Sequence, residues 1–189
     1  MTQQGINQNI KKAQILTEAL PFIKKFSNKT VVIKYGGSAL INPEIKNTII
    51  KDIVLMKLVG MKPVVVHGGG PDISSFLKKL NIESKFINGL RVTNAETMEV
   101  AEMVLSGKIN KQIVTDIELN GVKAVGISGK DGDTVKAKKI EKDGIDYGFV
   151  GNIESVDPAL VKTLIDNDII PVIAPIGMDE KGQSYNINA

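Results

Sequence analysis

The sequence predicts an α/β fold built on a mainly parallel β-sheet with helices covering both faces. Short apolar runs rich in valine and isoleucine alternate with segments whose apolar residues recur every three or four positions. Near-continuous apolar runs are typical of strands buried on both faces, and the alternation is typical of βαβ units. Glycine clusters end the first two runs, where a strand is expected to give way to a helix.

The composition fits a folded protein of modest size. The chain has 189 residues, of which 42% are hydrophobic and 24% charged, enough for one domain or one domain with an extension. It contains no cysteine, which excludes disulfides, thiolate metal sites and a cysteine nucleophile and suits a reducing, cytoplasmic location. The net charge of +3 is too small to indicate a nucleic-acid partner.

The sequence also argues against a membrane partner. Its longest apolar run, residues 169–178, is far shorter than the roughly 18 residues that suggest a membrane span. The N-terminus lacks the apolar segment of a signal peptide.

The first part of the chain is predicted to be a helical arm. Apolar residues recur at helical spacing from Ile6 to Ile23, and Pro21 is expected to kink or interrupt the helix. We assign residues 1–28 to this arm and residues 29–189 to the lobe that follows. The apolar face either packs on its own domain or exchanges with another subunit.

The strands of the lobe are predicted from its apolar runs, and the helices from the segments between them. The predicted strands are residues 30–35, 63–67, 122–128 and 169–175. One helix is predicted with Ile45, Ile49, Ile53 and Met56 on one face, and a second over residues 72–80.

A hairpin and a capping signal follow. Residues 85–93 carry Asn88-Gly89 between short apolar runs, a strong hairpin signal. Thr93 and Glu96 match a capping box, which predicts a helix that ends at Gly107. A further helix is predicted from Ile109, Ile113 and Ile117 to Gly121.

The remainder of the chain is less regular. Residues 129–152 are polar and rich in turn residues, with a short strand candidate at 134–137, and the lysine-rich run 136–142 is interpreted as a solvated face. Asp157 and Pro158 predict a helix start, with Asp at the N-cap and Pro at the first helical position.

The glycine clusters are the first candidate site. Gly36-Gly37 and Gly68-Gly69-Gly70 follow neighbouring predicted strands, and ligands of open α/β sheets bind at the carboxyl ends of strands. Glycine allows backbone N–H groups to approach a ligand, and helix N-termini favour anions. Either cluster alone is explained by a tight turn, whereas two in corresponding places favour an anion-binding function.

Three charged or titratable residues accompany the clusters. Lys34 ends the first strand, where it either meets an anion or extends its amine to solvent. His67, the only histidine, is expected to bond a backbone group, and we assign it no catalytic role. Arg91 is the only arginine among 24 basic residues; it either grips a carboxylate or phosphate or is a surface residue left by chance.

Standard nucleotide and hydrolase motifs are absent. The sequence has no P-loop, no dinucleotide-binding G-x-G-x-x-G after a strand and no G-x-S-x-G elbow. A single histidine leaves a histidine-based metal site without partners, so no metal site is predicted.

Four segments together resemble the acetylglutamate kinases of the amino-acid kinase superfamily. They are residues 33–38 (IKYGGS), 66–71 (VHGGGP), 88–93 (NGLRVT) and 186–189 (NINA). The first two are shared by several members of the superfamily, while the last two are more selective. The resemblance implies a three-layer αβα sandwich, and phosphorylation of the side-chain carboxylate of N-acetyl-L-glutamate by ATP with Mg²⁺, without a tightly bound cofactor.

The resemblance also implies roles for individual residues. Lys34 matches the lysine that stabilises the transferring phosphoryl group, and Gly36 and Gly37 lie on the turn near the phosphates. The acceptor-binding residues it implies are Gly69, Gly70, Arg91 and Asn186, with Arg91 carried by a hairpin that acts as a lid.

The same resemblance implies an oligomeric state and indicates which part of a family chain this sequence represents. It implies a homodimer, and an N-terminal helix of the kind that links dimers into a hexamer in members inhibited by L-arginine. Family chains continue beyond the NINA segment into a lobe that holds most of the ATP site, so we expect this chain to be the acceptor-binding portion, with little activity alone. The alternatives are a related kinase that acts on another substrate and a non-catalytic binding or regulatory module.

Overall fold

The computed structural model describes residues 3–36, 42–142 and 144–189. The helices are α1 (Gln3–Phe26), α2 (Pro43–Leu58), α3 (Gly70–Lys79), α4 (Ala95–Glu102), α5 (Asn110–Glu118) and α6 (Ala159–Asp166). The strands are β1 (Thr30–Tyr35), β2 (Lys62–His67), β3 (Phe86–Ile87), β4 (Leu90–Arg91), β5 (Ala124–Ser128), β6 (Val135–Lys139), β7 (Val150–Val156), β8 (Ile170–Ala174), β9 (Ile176–Met178) and β10 (Ser184–Ile187).

A four-stranded parallel sheet forms the centre of the lobe, in the order β1-β2-β8-β5. Its core side carries Tyr35, Val65 and Val172, which pack in one cluster with residues of α2, α4 and α5. Helix α6 packs against β8. The predicted α/β fold with a parallel sheet and helical layers is therefore confirmed.

A second, smaller sheet closes on itself from β6, β7, β9 and β10. The predicted strand at 134–137 is present as β6, but β7 and the closed sheet were not predicted from the polar region. In β6 only Ala137 is buried, between the lysines 136 and 138, and in β7 only Val150 and Gly151 are buried. Such a strand buries too little apolar surface to stand out in the sequence.

Helix α1 is continuous through Pro21, so an interruption there is wrong, and a kink at this residue stays a prediction. The one backbone N–H donor that proline removes does not end the helix at this position. Its apolar residues Ile10, Leu16 and Leu20 are 52%, 69% and 56% exposed. The described remainder of the chain therefore does not cover the apolar face.

The predicted capping box is wrong by one residue. The N-cap of α4 is Asn94, whose side chain accepts a hydrogen bond from the N–H of Thr97 at 2.8 Å. The hydroxyl of Thr93 instead donates to the carbonyl of Arg91 at 2.8 Å. The N–H of Thr93 donates to the carbonyl of Tyr147. This tertiary contact holds Thr93 in the segment between the hairpin and α4.

The predicted helix end at Gly107 is also wrong. A π-helical segment, Met103–Ile109, joins α4 to α5. Leu105 and Ile109 in this segment are buried in the core, and that burial exceeds the cost of about 1 kcal/mol for a glycine inside a helix.

Three smaller differences concern helix faces and starts. In α2 the buried residues are Ile50, Ile53 and Val54, whereas Ile45 is 43% exposed. Helix α3 begins at Gly70 rather than at residue 72. The N-cap of α6 is Pro158 rather than the predicted Asp157, so the helix starts one residue later than predicted. Asp157 instead accepts a hydrogen bond from the N–H of Ala159 at 2.9 Å.

Across the described residues, none of the helices combines the length and the apolar character needed to cross a membrane.

Candidate functional site

A cleft of about 670 Å³ opens at the carboxyl ends of β1 and β2. Six of the residues predicted from the sequence line it: Lys34, Gly36, Gly69, Gly70, Arg91 and Asn186. The seventh, Gly37, lies outside the described residues. Segments separated by more than 150 positions in the sequence thus meet around one cavity, which makes this cleft the candidate site.

The two glycine turns meet because β1 and β2 are in register. The N–H of Gly68 donates to the carbonyl of Tyr35 at 2.8 Å, which holds the two strand ends together. Gly70 is the first residue of α3, so the N-terminal end of that helix faces the cleft. The exposed N–H groups and the positive end of the helix dipole favour an anion here.

Gly69 packs closely against the π-helical segment. A Cβ atom at this position would overlap Cδ1 of Ile109 and lie 2.7 Å from Cδ2 of Leu105. The backbone therefore rests directly on the side chains of the π-helical segment, and this contact sets the floor of the cleft.

His67 supports the second glycine turn from below. It is fully buried, and its Nδ1 lies 2.9 Å from the carbonyl oxygen of Gly68. That oxygen only accepts, so we assign the ring proton to Nδ1 and an acceptor role to Nε2, which lies 3.2 Å from Nδ2 of Asn110. Burial lowers the pKa of His67, which favours this neutral form. The expected bond to a backbone group is present.

Arg91 is buried at the cleft wall, so the interpretation as a chance surface residue is wrong. It is 6% exposed and its guanidinium stacks on the ring of Phe86 at 4.5 Å. Nη2 donates to the carbonyl of Gly70 at 2.9 Å and to the hydroxyl of Ser74 at 2.7 Å, while Nη1 donates to the hydroxyl of Ser84. Burial lowers the pKa of Arg91, but a guanidinium keeps its proton in proteins.

Lys34 lies at the mouth of the cleft. The sequence suggested the tip of a buried strand, but β1 is an edge of the described sheet and Lys34 is exposed. Its amine is therefore solvated rather than forced to find a partner. Among the described side chains that line the cleft, Lys34 and Arg91 are charged, both positively, and none is acidic. The cleft is suited to an anionic ligand.

The remaining lining was not predicted from the sequence. Phe86 and Leu90 of the hairpin, Leu105, Val150 and Ile187 give the cleft an apolar wall beside its two cations. These residues come from four separate parts of the chain, and no local pattern distinguishes them from core residues. An anion with a small apolar substituent fits both halves of this lining.

The β3–β4 hairpin covers one side of the cleft and is tied down at its tip. Asn88 and Gly89 form the turn with φ of 50° and 80°, as the Asn-Gly signal predicted. The side-chain amide of Asn88 donates to the hydroxyl of the buried Tyr147 at 3.3 Å. This bond links the hairpin tip to the segment that leads into β7.

The chain, with its parallel sheet and the cleft at the strand ends, matches one known protein family. The model of the amino acid kinase family matches residues 29–189. The chain belongs to the amino acid kinase family.

Within that family the chain is similar to acetylglutamate kinases. It is 57% identical over 189 residues to the acetylglutamate kinase of Heliobacterium modesticaldum, with 95% of this chain and 64% of the relative covered. It is 58% identical over 187 residues to that of Caldanaerobacter subterraneus, with 99% of this chain and 62% of the relative covered. The chain thus spans less than two thirds of the length of these curated relatives.

A solved structure supports the fold. The N-acetylglutamate synthase of Neisseria gonorrhoeae, complexed with coenzyme A and N-acetyl-glutamate, superposes with a TM-score of 0.78 at 24% identity. The match covers 92% of this chain and 39% of that one.

Proposed function

We propose that this chain supplies the acceptor-binding part of an acetylglutamate kinase, which transfers the γ-phosphoryl group of ATP to the side-chain carboxylate of N-acetyl-L-glutamate. The carrying observation is the cleft, which gathers Lys34, the glycine turns, Arg91 and Asn186 around one cavity without an acidic side chain among its described lining. The 57–58% identity to acetylglutamate kinases supports this choice of reaction.

The cleft would bind the acceptor through its carboxylates and through its acetyl group. Arg91 would bind the α-carboxylate, and the N–H groups of Gly69 and Gly70 would also contact the acceptor, because a buried cation and a helix N-terminus both stabilise negative charge. The apolar wall formed by Leu90, Leu105 and Val150 would accept the acetyl methyl group. Asn186 would donate from β10 towards the reacting carboxylate.

The transfer itself requires two anions to meet. A carboxylate oxygen of the acceptor forms a bond to the γ-phosphorus of ATP, the bond from that phosphorus to the β,γ-bridging oxygen breaks, and ADP leaves. Lys34 and the amide groups near Gly36 would offset the negative charge on the transferring group. Gly37 is proposed for the same phosphate-facing role.

Mg²⁺ would arrive with the nucleotide. The described residues hold no group of three or more histidine, cysteine or acidic side chains able to bind a metal, and the described lining offers no carboxylate. The residues in hand therefore do not fit a magnesium site, and no step is derived through one.

We propose further that the 189-residue chain binds the acceptor but transfers little phosphate, and that the complete enzyme works in the cytoplasm as a homodimer. Helix α1 would link dimers into a hexamer that L-arginine inhibits, in keeping with its exposed apolar residues.

Thermal unfolding with and without N-acetyl-L-glutamate tests the proposed function. At a ligand concentration a hundred times the Kd, a ligand that binds only the folded state adds about 2.7 kcal/mol of stability. We expect Tm to rise with N-acetyl-L-glutamate, to stay unchanged with L-glutamate or L-aspartate, and to stay unchanged with every ligand in Arg91→Ala. A rise with one of the control ligands instead would identify a related kinase with another acceptor.

A further inference from the structure

Arg91 and Ser74 belong to a closed triangle of hydrogen bonds at the cleft wall. Nη2 of Arg91 lies 2.7 Å from the hydroxyl of Ser74 and 2.9 Å from the carbonyl oxygen of Gly70. The hydroxyl of Ser74 in turn lies 3.1 Å from the same carbonyl oxygen. The triangle connects the hairpin that carries Arg91 to the N-terminal turn of α3.

The direction of each bond follows from the groups themselves. A guanidinium only donates and a carbonyl only accepts, so the hydroxyl of Ser74 must accept from Arg91 and donate to Gly70. Its single proton and one lone pair are both committed. The hydroxyl therefore has one orientation, which fixes the position of Nη2 relative to the glycine turn.

The neutral partners leave the charge of Arg91 available to a ligand. The described residues supply Ser74, Ser84 and Gly70 as acceptors and no carboxylate for Arg91. These bonds use three of the five N–H donors of a guanidinium, so two remain for an anion. Neutral acceptors thus set where the cation sits without cancelling its charge.

We propose that Ser74 is a positioning residue, which holds the guanidinium of Arg91 in the orientation that receives the acceptor's carboxylate. The inference rests on the proposed function and assigns the serine of α3 to carboxylate recognition. Without the hydroxyl, Nη2 retains only Gly70, and the guanidinium is oriented less firmly, by Gly70, Ser84 and the ring of Phe86 alone.

The next residue provides a matched control. Ser75 stands beside Ser74 on the same helix but is exposed, and no hydrogen bond joins its side chain to Arg91 among the bonds of the described residues. Ser74→Ala and Ser75→Ala make the same chemical change one position apart. A general effect of serine loss on α3 would appear in both.

The test is calorimetric titration of the 189-residue chain and its variants with N-acetyl-L-glutamate. We expect Ser74→Ala to raise Kd about tenfold, the lower end of the range for a lost hydrogen bond to a charged group. Ser75→Ala should leave Kd unchanged, and Ser74→Thr, which keeps the hydroxyl, should restore most of the affinity. The Tm without ligand should change little in all three.

A second ligand separates positioning from a loss of structure. In the α-amide of N-acetyl-L-glutamate, a neutral group replaces the α-carboxylate that Arg91 is proposed to bind. If Ser74 acts through Arg91, Ser74→Ala should weaken this ligand by less than twofold. Equal losses for both ligands would overturn the inference.

The two proposals fail differently. Wild-type chain that binds N-acetyl-L-glutamate, together with Ser74→Ala that binds it equally well, overturns the role of Ser74 alone. Folded wild-type chain that does not bind N-acetyl-L-glutamate overturns the proposed function and the role of Ser74 with it.

Discussion

Tyr35 and His67 are register partners at the last position of two parallel strands. Because they end level, the N–H of Gly68 reaches the carbonyl of Tyr35 at 2.8 Å and the two glycine turns lie against each other. The first turn leads from Lys34 and the second leads into α3. The cleft thus has a cation on one side and a helix N-terminus on the other as a direct result of strand register.

The packing at the floor of the cleft predicts different effects on stability when two adjacent glycines are replaced by alanine. Gly69→Ala would place its methyl group into Ile109 and Leu105, whereas a Cβ atom at Gly70 meets nothing within 4 Å. We expect Gly69→Ala to lower the free energy of unfolding by about 1–3 kcal/mol, the usual range for overpacking. Gly70→Ala should change it by less than about 0.5 kcal/mol. Urea unfolding of both variants measures this, and equal stabilities would show that the floor can move.

The buried imidazole predicts a pH dependence of stability. The pKa of His67 is lowered in the folded chain, whereas in the unfolded chain it is about 6.5. As the pH falls below that value the unfolded state binds the proton more readily, so folding stability is present above about pH 6.5 and is lost on acidification.

Tm measured between pH 7.5 and 5.5 tests this dependence. His67 is the only histidine in the sequence, and carboxylates titrate mainly at lower pH. We expect Tm of the wild-type chain to fall across this range and Tm of His67→Asn to stay nearly level from a lower starting value. The same slope in both proteins would contradict the assignment.

Local signals in the sequence were sufficient for the elements that carry the site. The strand β1 coincides with its predicted bounds, and the Asn88-Gly89 turn has the positive φ values that its residues favour. Six of the candidate residues line one cleft because strand ends and a hairpin were identified correctly.

The rest of the site depends on contacts between distant residues. Ser74 and Ser84 hold Arg91 from 17 and 7 positions away, and nothing in the sequence near them distinguishes them from other serines. Thr93 matches a capping box, yet its hydroxyl donates a hydrogen bond to the carbonyl of Arg91. The N–H of Thr93 donates to the distant carbonyl of Tyr147, so a tertiary contact places this residue outside the helix.

The bond at the hairpin tip predicts an effect on ligand binding without a large effect on stability. Tyr147→Phe removes the hydroxyl that accepts from Asn88 at 3.3 Å but keeps the buried ring. We expect ligand affinity to fall about threefold, since a neutral hydrogen bond contributes about 0.5–1.5 kcal/mol. The faster dissociation of N-acetyl-L-glutamate should appear in stopped-flow measurements. Unchanged kinetics would show that the hairpin stays closed without this bond.

The exposed face of α1 predicts a role in assembly rather than in the stability of the lobe. Ile10, Leu16 and Leu20 are more than half exposed, so the described lobe gains little from them, while burial in a partner would contribute about 25 cal/mol per Å² of apolar surface. We expect deletion of residues 1–26 to reduce the mass measured by light scattering and to leave Tm of the lobe nearly unchanged. Leu16→Glu with Leu20→Glu should reproduce the smaller mass, and Lys11→Glu with Lys12→Glu should not, because the first pair alone removes apolar surface. A mass that is the same in all four proteins would contradict an assembly role for the helix.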